Sequence, residues 1–285
     1  MFKNILIPIS SEFYSKAVLH RSVFLAEKFK SNISLIYIIE EKTLSQTDKI
    51  SDSYRTHYDM AETKNEIISK QKQTADSIIF NDAKFYLKNK GILFDEKIEE
   101  GEFSIVIKNE LIKKDYDLIL MGFSNECVLN YRLLDEVDIP VWVEGQVTGD
   151  TILSICSNLA PNQKVPDLSL ELSGLLDWKI NMLYVVDIED SVVVDEQGKR
   201  SEKKPERDLI FKGQSFVEEM KKRGVNIELV KGSLGKEINR AAEKINPTLI
   251  ILGREQKKKG ALGIPIKNVR KKIASKCKYS MLFLH

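Results

Sequence analysis

The sequence predicts an α/β protein built from two doubly wound, five-stranded, mainly parallel sheets with helices on both faces. Three observations predict it. The runs DLILMG, ending at Gly122, and TLIILG, ending at Gly253, are continuously apolar, as strands buried on both faces must be. Segments with helical spacing lie between such runs, and strands alternating with helices make parallel sheets. The pattern also occurs twice. KNKGILFDEKIEEGEFSIVIKNELIKKDYDLILMGFS and KKRGVNIELVKGSLGKEINRAAEKINPTLIILGRE carry glycines at equal offsets, 232 − 101 = 131 and 253 − 122 = 131.

The elements follow in order. NILIPIS opens the first half as a strand over 3–9, before a helix over 12–29 and a strand over 33–39. The next helix, 59–90, shows apolar residues at helical spacing: Met60, Ile67, Ile68, Ile78, Ile79 and Phe85. Gly91 suits its C-terminal cap. Strands over 92–98, 117–122 and 140–144 alternate with helices over 103–114 and 126–135. GQVTGD, 145–150, has two glycines and no apolar period, and it separates a domain over 1–146 from one over 150–285. TILSICS, 151–157, then restarts the pattern. Pro205 fits the first turn of the matching long helix and Gly224 its end. Val225, Ile227 and Leu229 alternate as in a strand.

Composition excludes several classes. A chain of 285 residues with 42% hydrophobic and 30% charged residues can build two cores. A net charge of +2 gives no general attraction to nucleic acid or membrane. The N-terminus MFKNILIPIS is broken by Pro8, so neither a signal peptide nor a membrane span is expected. Cys127, Cys156 and Cys277 are far apart, as are His20, His57 and His285. That spacing predicts neither disulfides nor a metal site and suits the reducing cytoplasm.

Ligands of open α/β sheets sit beyond the C-terminal strand ends. Those ends are Ser10–Ser11, the stretch after Ile39, Gly101–Ser104 and Gly122–Asn125 in the first half. In the second they are Ser157–Asn158, Asp187–Asp190, Gly232–Gly235 and Gly253 onward. Asp187, Glu189 and Asp190 are expected to be solvated turn residues, and Ser10 and Ser157 to cap the turns that follow them.

NILIPIS, DLILMG, TLIILG and the closing NVRKKIASKCKYSMLFLH resemble the universal stress protein family, and the whole chain resembles two such domains in tandem. The resemblance implies an adenine-nucleotide alpha-hydrolase-like, Rossmann-like fold. It implies ATP or AMP bound by a loop G-x2-G-x9-G-[ST] after the fourth strand, with an aspartate ending the first strand. It also implies pairing of domains through their last strands. Here 140–144 and 280–285 are expected to pair within one chain as a pseudo-dimer, with a homodimer as the intermolecular counterpart.

Carried over position by position, the loop is damaged. In the second half Gly253 matches, Gln256 stands for the second glycine, and the closing pair falls best on Lys267–Asn268 with one residue inserted. Gly260 and Gly263 lie inside the loop, off the motif positions. In the first half only Gly122 matches, and Ser10 and Ser157 replace the aspartate. Glycines let backbone N–H groups reach a phosphate. Arg254, Lys257, Lys258, Lys259 and Lys267 supply charge instead, as mobile point charges. The alternative for the lysine run is a solvated loop. The candidate binding residues are therefore Ser157, Gly253, Arg254, Lys257, Gly260, Gly263, Lys267 and Asn268, in the second half alone.

Three functions remain open at this level. One is a regulatory module holding ATP, AMP or another small anionic ligand in the second domain only. Another is a scaffold of the stress response that holds no nucleotide, with 41–58 and 190–206 either reading a protein partner or forming exposed loops. The third is a weak ATPase, although SSEFYS and SNLAPN lack the glycines of a pyrophosphatase loop and no nucleophile–base pair is evident.

Overall fold

A computed structural model describes all residues except 12, 41–76, 123–132, 134–136, 161–163, 196–200, 254–277 and 285. The chain divides into two compact units, Met1–Ile139 and Pro140–His285. The expected helix at 126–135 (bar residue 133), most of the first helical part of 59–90, and the closing helix lie outside the described residues.

The first unit runs β1 (Asn4–Ile9), α1 (Lys16–Phe29), β2 (Asn32–Ile39), α2 (77–89), β3 (Phe94–Glu100), α3 (Phe103–Lys113) and β4 (Leu118–Gly122). Its strands lie in the order β3-β2-β1-β4, all parallel. Helix α1 starts at Lys16 rather than 12 because Ser15 caps it, its Oγ accepting from the Ala17 N–H at 3.3 Å. The chain leaves α2 through Gly91, at φ +69°, and Ile92 N–H donates to the Leu87 carbonyl at 3.1 Å. That closing turn uses up residues 92 and 93, so β3 begins two residues later than the sequence predicts.

The second unit runs β5 (Val141–Glu144), β6 (Thr151–Ser157), α4 (Lys164–Leu176), β7 (Lys179–Asp187), α5 (Glu206–Lys222), β8 (Ile227–Gly232), α6 (Leu234–Ile245), β9 (Leu249–Gly253) and β10 (Ser280–Leu284). Its order is β5-β10-β9-β6-β7-β8. Every pair is parallel except β10 with β5, where Met281 faces Val143 and Phe283 faces Val141. Strand β5, expected at the end of the first domain, is grouped with the second unit, where it pairs antiparallel with β10. Pro205 is the N-cap of α5, and Gly224 follows it at φ +77°.

The register repeats between units. Asn4 faces Asn32 where Thr151 faces Lys179, an offset of 147 on both strands. Ile5 faces Leu118 where Ile152 faces Leu249, so β4 and β9 differ by 249 − 118 = 131. Leu35 faces Glu96 where Met182 faces Ile227, again offsets of 147 and 131. Each sheet thus has one plan. Its central strands carry the core: Ile5, Leu6, Ile7, Leu118, Ile119 and Leu120 in one unit, Ile152, Leu153, Leu249, Ile250 and Ile251 in the other, all fully buried. Among the described residues no helix is long and apolar enough to cross a membrane.

Candidate functional site at the strand ends of the second unit

The ends of β6, β7, β8 and β9 gather at one edge of the second sheet. Ser157 closes β6 and Gly253 closes β9, on adjacent parallel strands. Of the predicted binding residues, these two are brought to the same end. Arg254, Lys257, Gly260, Gly263, Lys267 and Asn268 lie outside the described residues.

Ser157 is 2% exposed, and its Oγ accepts from the Leu159 N–H at 3.1 Å. It therefore caps the following turn, as expected. Ser10 does the same in the first unit, accepting from Phe13 N–H at 3.2 Å, and it also donates to Glu40 Oε1 at 2.7 Å. A serine with its oxygen already paired inside the chain satisfies the buried backbone locally.

Asp187 departs from the expectation of a solvated turn. It is 3% exposed. Its Oδ1 accepts from the N–H groups of Glu189 and Asp190, both at 2.9 Å, and its Oδ2 accepts from Leu234 N–H at 2.7 Å. Leu234 opens α6, so the carboxylate also faces the positive end of a helix. A buried carboxylate needs such partners, because unpaired charge away from water is costly. Glu189 remains exposed and Asp190 half-buried.

Asn158 completes the brace. Its Oδ1 accepts from Asp187 N–H at 2.7 Å, and its Nδ2 donates to the carbonyls of Val192 at 2.7 Å and Asp187 at 3.2 Å. Its own carbonyl accepts from Val194 N–H at 2.9 Å. Val192 and Val194 are buried against this end. The segment after β7 is thus partly folded onto the strand ends rather than an open loop: Ser201 N–H donates to Val193 O, and Lys204 N–H to Ser191 O.

The sequence reading missed Asn158 and Asp187 as organising residues. A signal was present: Asp187 lies 187 − 40 = 147 after Glu40, the same offset that relates the strands, so both halves place an acid after the second strand. Cys156 is fully buried and its thiol pKa is pushed up by that burial, which suppresses the reactive thiolate. His20 stacks on Tyr86 at 5.1 Å on the helical face of the first unit. Among the described residues no group of three or more His, Cys, Asp or Glu is placed to hold a metal ion.

The fourth-strand glycines differ between units. Gly122 is buried, and a Cβ there would sit 2.5 Å from Val18 Cγ2 and 3.1 Å from Ser15 Cβ, so its bare backbone lets α1 pack on β4. Gly253 is half-buried at the end of β9.

The model of the universal stress protein family matches residues 1–138 and 161–285. The chain belongs to the universal stress protein family. A universal-stress-type protein from Pseudomonas aeruginosa UCBPP-PA14 shares the fold at TM-score 0.63 and 14% identity, over 99% of this chain and 93% of its own. A universal stress protein from Archaeoglobus fulgidus DSM 4304 does so at TM-score 0.60 and 15% identity, over 99% and 95%. No curated protein matches this chain. At such identities the universal stress fold is what is shared.

Proposed function

We propose that the chain is a regulatory binding module of the universal stress type that holds an adenine nucleotide, ATP or AMP, in its second unit alone. The asymmetry of the fourth-strand glycines carries this reading. Gly122 is consumed by packing, whereas Gly253 is half-buried at the end of β9. The chain then has 279 − 253 = 26 positions before β10, against 140 − 122 = 18 between Gly122 and β5, room enough for a phosphate loop. In this reading Arg254, Lys257 and Lys267 meet the phosphates as point charges, Gly260 and Gly263 allow backbone approach, and Asn268 stands where the motif has its closing Ser or Thr. Ser157 marks the nucleoside side. Nucleotide acts by favouring the ordered state of that loop.

Isothermal titration calorimetry with ATP and with AMP tests it. One site per chain is expected, abolished by Gly253→Val with the melting temperature of the ligand-free protein kept. No heat at millimolar nucleotide would sink it.

A second reading is favoured by Ser157, which is 2% exposed with its oxygen committed to the Leu159 N–H. Here the chain is a scaffold without nucleotide. Its partner is another protein, and the family's pairing through last strands is realised by 140–144 and 280–285 as an intramolecular pseudo-dimer or by a homodimer. Phosphate release above a protein-free control would be the mark of a weak ATPase. Cysteine usage supports action in the cytoplasm.

A further inference from the structure

A cavity of about 120 Å³ lies in the second unit between β7, β8 and α6, away from the strand ends described above. Leu183, Ala241 and Ile245 line it with apolar surface above Leu153, and Asn181 and Asn226 present side-chain amides. The rim is charged, with Lys244 3.7 Å from Glu228 and Arg240 3.5 Å from Glu237.

The first unit shows what belongs in that space. Tyr116 is 7% exposed. Its hydroxyl donates to Glu110 Oε1 at 3.0 Å and is also paired with Ser34, with the Asp95 carboxylate nearby. The repeat offsets carry Ser34 to Asn181 (34 + 147), Asp95 to Asn226 (95 + 131) and Glu110 to Ala241 (110 + 131). All three counterparts line the cavity. Tyr116 itself becomes Pro247 (116 + 131), which has no ring to insert, and Lys114, whose ammonium lies 5.5 Å over the Tyr116 ring, becomes Ile245. The second unit therefore keeps the surroundings of a phenol without the phenol, and it exchanges the carboxylate that met the hydroxyl for a methyl group.

We propose that this cavity binds a phenol ring supplied from outside the unit, the ring lying against Leu183, Ala241 and Ile245 and the hydroxyl meeting the amides of Asn181 and Asn226. Size agrees: a cavity of about 150 Å³ lined by apolar side chains is known to hold benzene. Here the space is partly open, so the ring's substituent can point outward. An amide oxygen can accept the hydrogen bond of the hydroxyl as Glu110 does. The charged rim is balanced and opposes neither a neutral ring nor its hydroxyl. The site is independent of any nucleotide at Gly253.

The test uses the whole chain, 15N-labelled, titrated with p-cresol. Saturable shifts of the Asn181 and Asn226 side-chain amides are expected, with toluene binding about fivefold more weakly for want of the hydroxyl. Ala241→Phe fills the cavity and should abolish the shifts; Pro247→Tyr, which restores the missing ring, is the second variant should the first fail to fold. N-acetyl-tyrosinamide separates the sources. Binding tighter than p-cresol assigns a tyrosine of a polypeptide, and weaker binding assigns a free phenol. The proposal is overturned by an absence of saturable shifts at those amides up to the solubility of p-cresol, by toluene binding equally well, or by binding that survives filling of the cavity.

Discussion

Asp187 is a single side chain that ties three backbone segments: the end of β7, the turn after it and the start of α6. Three N–H groups would lose their acceptor in Asp187→Ala, and buried donors without partners cost about 1–3 kcal/mol each where water does not replace them. A loss of roughly 3 kcal/mol is expected from urea unfolding followed by tryptophan fluorescence. Both tryptophans, Trp142 and Trp178, lie in the second unit, so the probe reads the unit that carries the change. Tyr116 gives a prediction in pH. Its pKa is pushed up to about 12, first by burial and then by Glu110 and Asp95, against a lowering bond from Ser34. The folded chain therefore holds this proton more tightly than the unfolded chain, whose tyrosine titrates near 10. That stability is complete below about pH 10 and is lost as pH rises towards 12. Tyr116→Phe should lower stability at neutral pH by about 1 kcal/mol for the lost hydrogen bond and should flatten the decline between pH 10 and 12. An unchanged alkaline slope would contradict the assignment.

Two helical glycines show how packing decides what a helix tolerates. Gly213 in α5 faces β7 and β8, and a Cβ there would lie 2.8 Å from Leu229 Cδ1 and 2.9 Å from Tyr184 Cε1. Gly174 in α4 is exposed, and nothing lies within 4 Å of the same probe position. Gly213→Ala should cost about 1–3 kcal/mol by overpacking. Gly174→Ala should stabilise by about 0.5–1 kcal/mol, because alanine loses less backbone freedom in a helix. Thermal denaturation of the two variants side by side reads the opposite signs. At this scale the sequence was legible wherever a period or a cap carried the information. Most elements fall within two or three residues of the expected bounds. The shifts at Lys16 and Phe94 came from Ser15 and Gly91, whose local hydrogen bonds decide the terminus.

At the scale of the whole molecule, duplication is the organising fact, and the paired registers with offsets of 147 and 131 express it. The 16-residue difference between the offsets is the extra length the first half carries between its second and third strands. β10 lies between β5 and β9, which makes it an interior strand of the second unit. Phe283, fully buried there, should cost about 3–5 kcal/mol as Phe283→Ala, seen as an earlier tryptophan transition. A cost near zero would mean that β10 contributes little to the core.

The sequence by itself determined the strand-and-helix alternation, the duplication, the strand cores and the glycines that close the long helices. These are encoded in local periods and in residues with special backbone freedom, which act over a few positions. The tertiary structure alone decided that Asp187 is buried rather than solvated, that Asn158 is a brace and that Val192 and Val194 fold inward. It also decided that Gly122 serves packing and that the replacement of Tyr116 by Pro247 leaves a cavity. Each of these depends on which distant groups meet a side chain once the strands are in register, and a hydrogen-bond partner 29 or 47 positions away leaves no mark on its neighbours in the chain.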